Sequence, residues 1–356
     1  MNIGVLFGGR SYEREISVIT AVEVTAILKS EAQVYPIYAE NGRFYLLKGD
    51  FSIENFTSGN LKRKEVSFYK KKGKPSLRAV LAKISLDCVV MCCHGGEGEN
   101  GNFSALSEVF DLPYTCSSPI ASAITMDKRM TKILCAQYGF STPRSIWGKR
   151  GEDLPEKAKT LSYPMIVKPA RLGSSIGISV AHDEEELIEA IGTAFSFDGD
   201  VLVEEMVEEV VELNCAAFSE GEDVVVGGVE TPRSWHEFLT FEEKYEGGKY
   251  KSGARIVQGD LAERVKAMTK TIYRAFELFG IARLDYLYSK KDDTLYLNEI
   301  NAQPGSLAYY LFEEVGIDFS SLLKRVIDQA FLREKKKDII SFNSGVLQNL
   351  SDLSHK

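Results

Sequence analysis

Ile281-Ala282-Arg283-Leu284-Asp285 and Asn298-Glu299-Ile300-Asn301-Ala302-Gln303-Pro304-Gly305 flank the polar turn Lys290-Lys291-Asp292-Asp293. Two β-rich runs separated by such a turn predict an antiparallel hairpin. A three-residue loop of Lys291, Asp292 and Asp293 sets Asp285 opposite Glu299 and Arg283 opposite Asn301. Side chains alternate along a strand, so all four share one face. A slip of one residue would send the two acids to opposite faces. Facing carboxylates repel unless something compensates. Oxygen donors without His or Cys suit Mg²⁺ that holds a nucleotide's phosphates. The alternative is a surface hairpin whose acids are simply solvated. Pro304-Gly305 ends the pairing and frees backbone N–H groups, donors of the kind that stabilise a developing oxyanion. Arg283 adds a permanent positive charge beside the metal.

Outward from the hairpin, 356 residues suffice for two or three packed domains. A 44% hydrophobic and 26% charged content is that of a soluble globular chain. The net charge of −8 argues against general binding of nucleic acid or anionic membrane, while leaving room for a local basic pocket. Met1-Asn2-Ile3-Gly4-Val5 carries no basic region before a long apolar run, so no signal peptide is expected. No apolar run reaches the length of a membrane span. Cysteines 88, 92, 93, 116, 135 and 215 lie mostly in apolar segments without a CxxC pair. They predict buried reduced thiols and a cytoplasmic protein. Histidines 94, 182, 236 and 355 are too scattered for a metal cluster.

The first part reads as a strand over 2–7, a Gly8-Gly9-Arg10 turn, a helix over 16–29, then strands over 32–38 and 88–93. Strands alternating with helices imply an α/β, doubly wound parallel sheet with ligands at its strand ends. Residues 55–78, charged and poorly periodic, read as a peripheral insertion. The expected domains are 1–117, 118–204 and 205–335, with a polar tail over 336–356. The middle one has strands over 165–168, 177–180 and 201–204.

Between the first two of these strands runs Lys168-Pro169-Ala170-Arg171-Leu172-Gly173-Ser174-Ser175-Ile176-Gly177. Glycine lets the backbone approach a phosphate closely, and Ser174 and Ser175 add hydroxyl donors. It is not a Walker A loop, and a flexible hairpin loop would look the same. Lys168 and Lys128 could bracket a polyphosphate. The strand that ends in Glu204 acquires carboxylates abruptly, which suits an adenine amino group and ribose hydroxyls. Glu13 and Glu15 open the first helix. Either favours the helix dipole by roughly 0.3–1 kcal/mol, or one of them faces a crevice and holds a substrate ammonium. His94 sits at a strand end inside the glycine-rich run Gly95-Gly96-Glu97-Gly98.

In order along the chain, these segments resemble the D-alanine–D-alanine ligase family of the ATP-grasp superfamily. The matching segments are Phe7-Gly8-Gly9-Arg10-Ser11 with Glu13-Arg14-Glu15-Ile16-Ser17, residues 94–101, Met126-Asp127-Lys128, residues 168–177, Glu242-Glu243-Lys244-Tyr245, and the hairpin. The resemblance spans the chain to about residue 330. It implies an N-terminal α/β domain followed by a two-domain ATP-grasp fold of α+β type. It places ATP on Lys128, Lys168, Glu204, Val207, Glu212 and Lys244, and magnesium on Asp285, Glu299 and Asn301. Glu13 would hold the first substrate's ammonium, Ser174 and Tyr245 would close a loop over the site, and Arg283 with the Gly305 N–H would stabilise the tetrahedral intermediate. His94, Tyr310 and Leu311 complete the substrate site. The implied cofactors are ATP and two Mg²⁺ ions, with Mn²⁺ able to substitute. The implied partners are small amino acids, without nucleic acid or membrane, in a chain compatible with a homodimer.

The implied reaction begins when one D-alanine carboxylate takes the γ-phosphate of ATP. The amine of a second D-alanine then attacks the acyl phosphate and expels phosphate. Such an intermediate must be shielded from water, a task suited to a loop over 240–258 hinged at Gly247-Gly248. Three departures from the family concern the second substrate. Tyr310 stands where the family carries a small hydroxyl, Ser306-Leu307 replaces a pattern with threonine at the second position, and the segment after Tyr245 is charged, with Arg255. A relative with another acceptor (D-serine, D-lactate or another amino acid) and a lapsed nucleotide-binding sensor remain as competing readings.

Overall fold

The structure, a computed structural model, describes residues 1–79, 82–232 and 255–335. Its first sheet has seven strands: β1 (Asn2–Gly8), β2 (Gln33–Glu40), β3 (Arg43–Lys48), β4 (Lys62–Lys71), β5 (Lys74–Ala79), β6 (Ala82–Ser85) and β7 (Cys88–Met91). They lie in the order β6-β5-β4-β3-β2-β1-β7. β1 is apolar throughout and pairs in parallel with β2 and β7, as a strand buried on both faces should. Its odd residues Ile3, Val5 and Phe7 pack under the helices Arg14–Leu28 and Phe319–Lys335, and Leu6 packs on the opposite face with Met91 and Phe103.

Among the described strands of this sheet only those three pair in parallel, with one further parallel bridge from Val89 to Tyr114, because β2 to β6 run as an antiparallel meander. Residues 55–78 are therefore no detached insertion; they widen the sheet. Their period-2 signal is Val66 and Leu77 pointing inward, and it is masked in sequence by the lysines that protect sheet edges from pairing with other chains.

The second sheet holds β8 (Ser145–Lys149), β9 (Met165–Pro169), β10 (Ser179–Ala181) and β11 (Asp200–Glu205), all antiparallel, in the order β10-β9-β11-β8. Met165, Val167, Val201 and Val203 face one way, into a core with the helices Leu154–Ala158 and Glu184–Phe197. By alternation Ile166, Lys168, Leu202 and Glu204 face the other way. The third sheet holds β12 (Val210–Glu220), β13 (Asp223–Thr231), β14 (Arg255–Val257), β15 (Ala282–Ser289) and β16 (Thr294–Asn301), in the order β14-β13-β12-β15-β16. Leu213, Cys215, Leu284, Tyr286 and Leu297 fill its core against the helix Asp260–Ala275.

The hairpin pairs Asp285 with Glu299 and Arg283 with Asn301, as the alternation argument requires. The turn, however, has four residues rather than three, since Ser289 pairs with Thr294. A bulge takes up the offset: Tyr286 faces Leu297 while Asp285 faces Glu299, leaving Asn298 as the extra residue.

Gly280, just before β15, joins the third sheet to the first part of the chain. Its φ is +67°, and an added Cβ would lie 1.9 Å from the Thr115 carbonyl oxygen. Gly139 shares the left-handed conformation (φ +76°) with no described atom within 4 Å. Gly280→Ala is therefore expected to cost about 2 kcal/mol or more beyond Gly139→Ala, which bears only the backbone strain. Urea unfolding of the two variants separates close approach from strain.

Candidate active site

β12, β15 and β16 carry one polar face. Glu212 pairs with Leu287, Asn214 with Asp285, and Ala216 with Arg283, so Glu212 and Asn214 share the face of Arg283, Asp285, Glu299 and Asn301. The Arg283 guanidinium grips Asp285 with two bonds, Nε to Oδ1 at 2.7 Å and Nη2 to Oδ2 at 2.8 Å. Asn301 Nδ2 donates to Asp285 Oδ2 at 2.9 Å. Glu299 Oε2 lies 3.5 Å from the Lys128 ammonium. The like charges are thus offset by protein cations before any metal is considered. Two carboxylates and an amide oxygen on adjacent strands are hard, oxygen-only donors, and they fit a divalent ion that keeps several waters. Among the described residues no group of three or more His, Cys, Asp or Glu side chains could hold a metal, so a bound ion would need water or phosphate oxygens as further ligands.

Facing this sheet is a second charged cluster. Glu204, 1% exposed, lies between two lysines: its Oε2 is 2.7 Å from Lys168 Nζ and its Oε1 2.8 Å from Lys132 Nζ. Burial pushes the Glu204 carboxyl up, but the two ammonium charges outweigh it and hold the group below its ordinary range. Lys132 Nζ also donates to the Pro143 carbonyl at 2.8 Å, and Lys168 Nζ to Asn298 Oδ1 at 3.2 Å. The bulge residue of the hairpin is therefore a partner of Lys168, the lysine that opens the glycine-serine loop. Lys128 opens the helix Lys128–Tyr138, with Asp127 as its N-cap, and donates to the Leu172 carbonyl at 2.5 Å. A lysine in a helix's first turn opposes the dipole, whereas an anion there would be favoured.

The glycine-serine loop is pinned by Arg171, which bonds Asp198 and Asp200. Ser174 (φ 53°) and Ser175 (φ 58°) follow in the left-handed region. The Ser174 hydroxyl donates to Glu13 Oε1 in a short contact. This separates the two candidate acids: Glu13 faces the loop, and Glu15 is exposed. Gly95 makes room for Glu13, since an added Cβ would lie 2.6 Å from Glu13 Oε2. Around Glu13 opens a cleft of about 360 Å³ lined by Arg10, Ser11, Gly95, Leu172 and Gly173. A narrower recess on the far side of Gly173 is lined by Glu99, Lys128, Glu299 and Asn301.

His94 does not line the cleft. It is 2% exposed, with Nε2 2.8 Å from Thr20 Oγ1 and Nδ1 2.6 Å from the Gln303 carbonyl. Tyr310 donates its hydroxyl to Glu230 Oε1 at 3.0 Å. Glu230 is a buried acid on β13 opposite Asn214. Burial raises its pKa, against the Arg283 charge and its hydrogen bonds. The Leu311 side chain is in the core under the helix Phe319–Lys335. Val207 lies between β11 and β12, and the Gly305 N–H begins the turn after β16. Lys244, Tyr245 and residues 240–254 of the loop expected over 240–258 lie outside the described residues, as does the tail over 336–356, whereas the end of that loop, Arg255–Val257, pairs with β13 as the strand β14.

Sequence reasoning missed Lys132, Glu230, Glu99 and Asn298. Lys132 could have been found, because it stands four residues after Lys128 on the same helix face. Glu99 accepts from the Gly95 and Gln303 backbone N–H groups. Burial and the Glu13 charge push it up to about 8. Nothing in the local sequence marks Glu230.

Two antiparallel sheets, one presenting lysines and the other oxygen donors across a cleft, define an enzyme of the ATP-grasp class. Residues 2–117 match the family model for the D-ala D-ala ligase N-terminus, and residues 130–328 match that for its C-terminus. The D-alanine–D-alanine ligase of Thermosipho melanesiensis is 35% identical over 98% of both chains. Among solved structures, the D-alanine–D-alanine ligase of Helicobacter pylori is similar (TM-score 0.73, 27% identity, covering 92% of this chain and 98% of that one). So is the VanG D-Ala:D-Ser ligase of Enterococcus faecalis (TM-score 0.80, 26% identity, covering 92% and 99%). The chain belongs to the D-alanine–D-alanine ligase family.

Burial lowers the His94 pKa from 6.5 to about 4, with the Gln303 carbonyl opposing and the Arg283 charge adding to the shift. The native imidazole then stays neutral where the unfolded chain takes up a proton. Stability should fall as pH is lowered from 6.5 to about 4, by up to about 3 kcal/mol from this group. Unfolding free energies measured across that window should slope less steeply in His94→Gln; an unchanged slope would place the titration elsewhere.

Proposed function

We propose that this chain joins two D-alanines into D-alanyl-D-alanine, a peptidoglycan precursor, at the expense of ATP. The observation that carries this reading is Arg283, Asp285, Glu299 and Asn301 on one face of the hairpin, opposite Lys128 and Lys168. A nucleotide-binding sensor would need the lysines and the acids, but it has no use for a guanidinium held among the metal ligands.

In this reading the ammonium of the first D-alanine rests on Glu13, and Ser174 fixes that carboxylate from the glycine-serine loop. Lys128 and Lys168 take the phosphates, aided by Lys244. The end of β11 at Glu204 and Val207 meets the adenine, and Glu212 the ribose. The Glu204 side chain is engaged by two lysines and the residue is paired on both sides within the second sheet, so the chain beyond β11, toward Val207, is the part left for the base. Asp285, Glu299 and Asn301 hold Mg²⁺, as two ions with Mn²⁺ as a substitute. When bound there, the metal would supply charge neutralisation at the phosphates. Arg283 and the Gly305 N–H face the oxyanion that forms when the second amine attacks. Tyr245 closes over the site with Ser174, and Leu311 together with Tyr310 borders the acceptor.

Residues 1–117 then supply the first-substrate side, and 118–204 with 205–335 enclose the nucleotide. The six cysteines, all free and buried, and the use of ATP suit the cytoplasm. No helix among the described residues is long and apolar enough to cross a membrane. Amino acids are the expected partners, nucleic acid and membranes are not, and a homodimer is compatible with this use.

Incubation with ATP, Mg²⁺ and panels of D- and L-amino acids and D-lactate, read by mass spectrometry, tests the function. D-alanyl-D-alanine is expected, with one ADP per peptide bond. A mixed product with D-serine or D-lactate in place of the dipeptide would move the reading to another acceptor. Glu299→Gln removes one charge with little change of shape. It should leave the fold intact while turnover falls about 100-fold or more. Wild-type turnover in this variant would refute the metal assignment.

A further inference from the structure

After β16 the chain turns through three consecutive non-glycine residues in the left-handed region: Ser306 (φ 45°), Leu307 (φ 53°) and Ala308 (φ 47°). L-residues enter that region singly rather than in runs, so such a turn persists only where its surroundings over-determine it. Leu307 and Ala308 are buried in the core between the first sheet and the helix Phe319–Lys335, which secures the far end.

The near end is tied to the N-terminal part by Thr20 and His94, beside the bond that Glu99 accepts from the Gln303 N–H. The Ser306 N–H donates to Thr20 Oγ1 at 3.0 Å. Thr20 Oγ1 lies 2.8 Å from His94 Nε2, and His94 Nδ1 lies 2.6 Å from the Gln303 carbonyl oxygen. A carbonyl can only accept, so Nδ1 carries the imidazole proton and Nε2 is the acceptor. The Thr20 hydroxyl must then donate to Nε2, and its oxygen is left to accept from Ser306. Each proton in this circuit has one assignment, made from its partners. Both ends of Gln303-Pro304-Gly305-Ser306 are thereby tied to one hydroxyl–imidazole pair. Thr20 is bonded to the Ser306 backbone N–H, so it restrains the backbone of the turn itself.

We propose that Thr20 is a positioning residue for the ligation step. Acting with His94, it holds the left-handed turn so that the Gly305 N–H stays beside β15, the strand that carries Arg283. The inference rests on the role given to Gly305 above. It deepens that role by naming what fixes the donor, which no feature of the turn's own sequence supplies.

Thr20→Val preserves size and removes the hydroxyl, whereas Thr20→Ser keeps the hydroxyl and loses a methyl. Thr20→Val should lower kcat for dipeptide formation about tenfold to hundredfold, with KM for ATP within about twofold of wild type. Thr20→Ser should restore most of kcat. Hydrogen–deuterium exchange should accelerate in peptides spanning 303–308 in Thr20→Val and not in Thr20→Ser. Equal impairment of the two variants would show that the methyl packing matters instead, and would overturn the proposal. So would an unchanged kcat in Thr20→Val, or a KM for ATP that moves in step with kcat. If Thr20→Val does not fold, Thr20→Ala is read by the same criteria; failure of both to fold would make the clasp a stability element and likewise overturn it. Wild-type dipeptide synthesis and the kcat of Arg283→Met, measured in parallel, test the functional reading itself. Their failure is therefore distinguishable from failure of the Thr20 assignment.

Discussion

Asp285 and Glu299 face each other across two paired strands, where directly opposed side chains stand about 5 Å apart. At an effective dielectric of about 20, two unit charges at that distance repel by roughly 3 kcal/mol. The hairpin cannot supply the whole remedy. Arg283 belongs to it and neutralises Asp285, but the cation beside Glu299 is Lys128, from the helix Lys128–Tyr138, whose Cys135 packs in the core of the third sheet. The facing acids are therefore offset partly from within the hairpin and partly by a lysine from outside it.

Lys168 extends the same logic. Its ammonium is shared between Glu204 on its own sheet and Asn298 on the hairpin. Lys132 and the Pro143 carbonyl complete a buried chain. Burying three charges costs desolvation, but removing one partner from such a set typically costs 3–5 kcal/mol because a charge is left uncompensated. The arrangement fixes Lys168 in position. It also gives the bulge a purpose, since Asn298 exists as an extra residue and spends its side-chain oxygen on the lysine.

The first part of the chain reaches the hairpin by a different chemistry. Glu13 meets Ser174 of the glycine-serine loop, while Glu99 takes the Gln303 N–H and His94 the Gln303 carbonyl. The Glu13–Ser174 contact is part-buried; the contacts on Gln303 are neutral or singly charged, and they are buried. They constrain the chain just beyond β16, where three left-handed residues would otherwise cost about 1–2 kcal/mol each. The residues proposed above for substrate, phosphate and metal thus lie near one another, with Glu13, Ser174, Glu99 and Gln303 joined by these contacts.

Much of this was legible in the residues alone. Alternation along Arg283-Leu284-Asp285 and Asn298-Glu299-Ile300-Asn301 placed four side chains on one face, and the ordered motifs resembled a family to which the chain does belong. The turn length was misjudged by one residue without harm, because the Asn298 bulge restored the pairing that the face requires. Residues 55–78 hid two strands behind edge lysines. What the sequence could not decide was every contact made between residues far apart in the chain: Glu13 rather than Glu15 against Ser174, His94 closed between Thr20 and Gln303, Tyr310 on Glu230, and Glu204 between two lysines. Periodicity and turn chemistry act over a few residues and determined the strands, the hairpin face and the loops. The partners of buried polar groups depend on which surfaces the packed cores press together, and only the tertiary structure chose them.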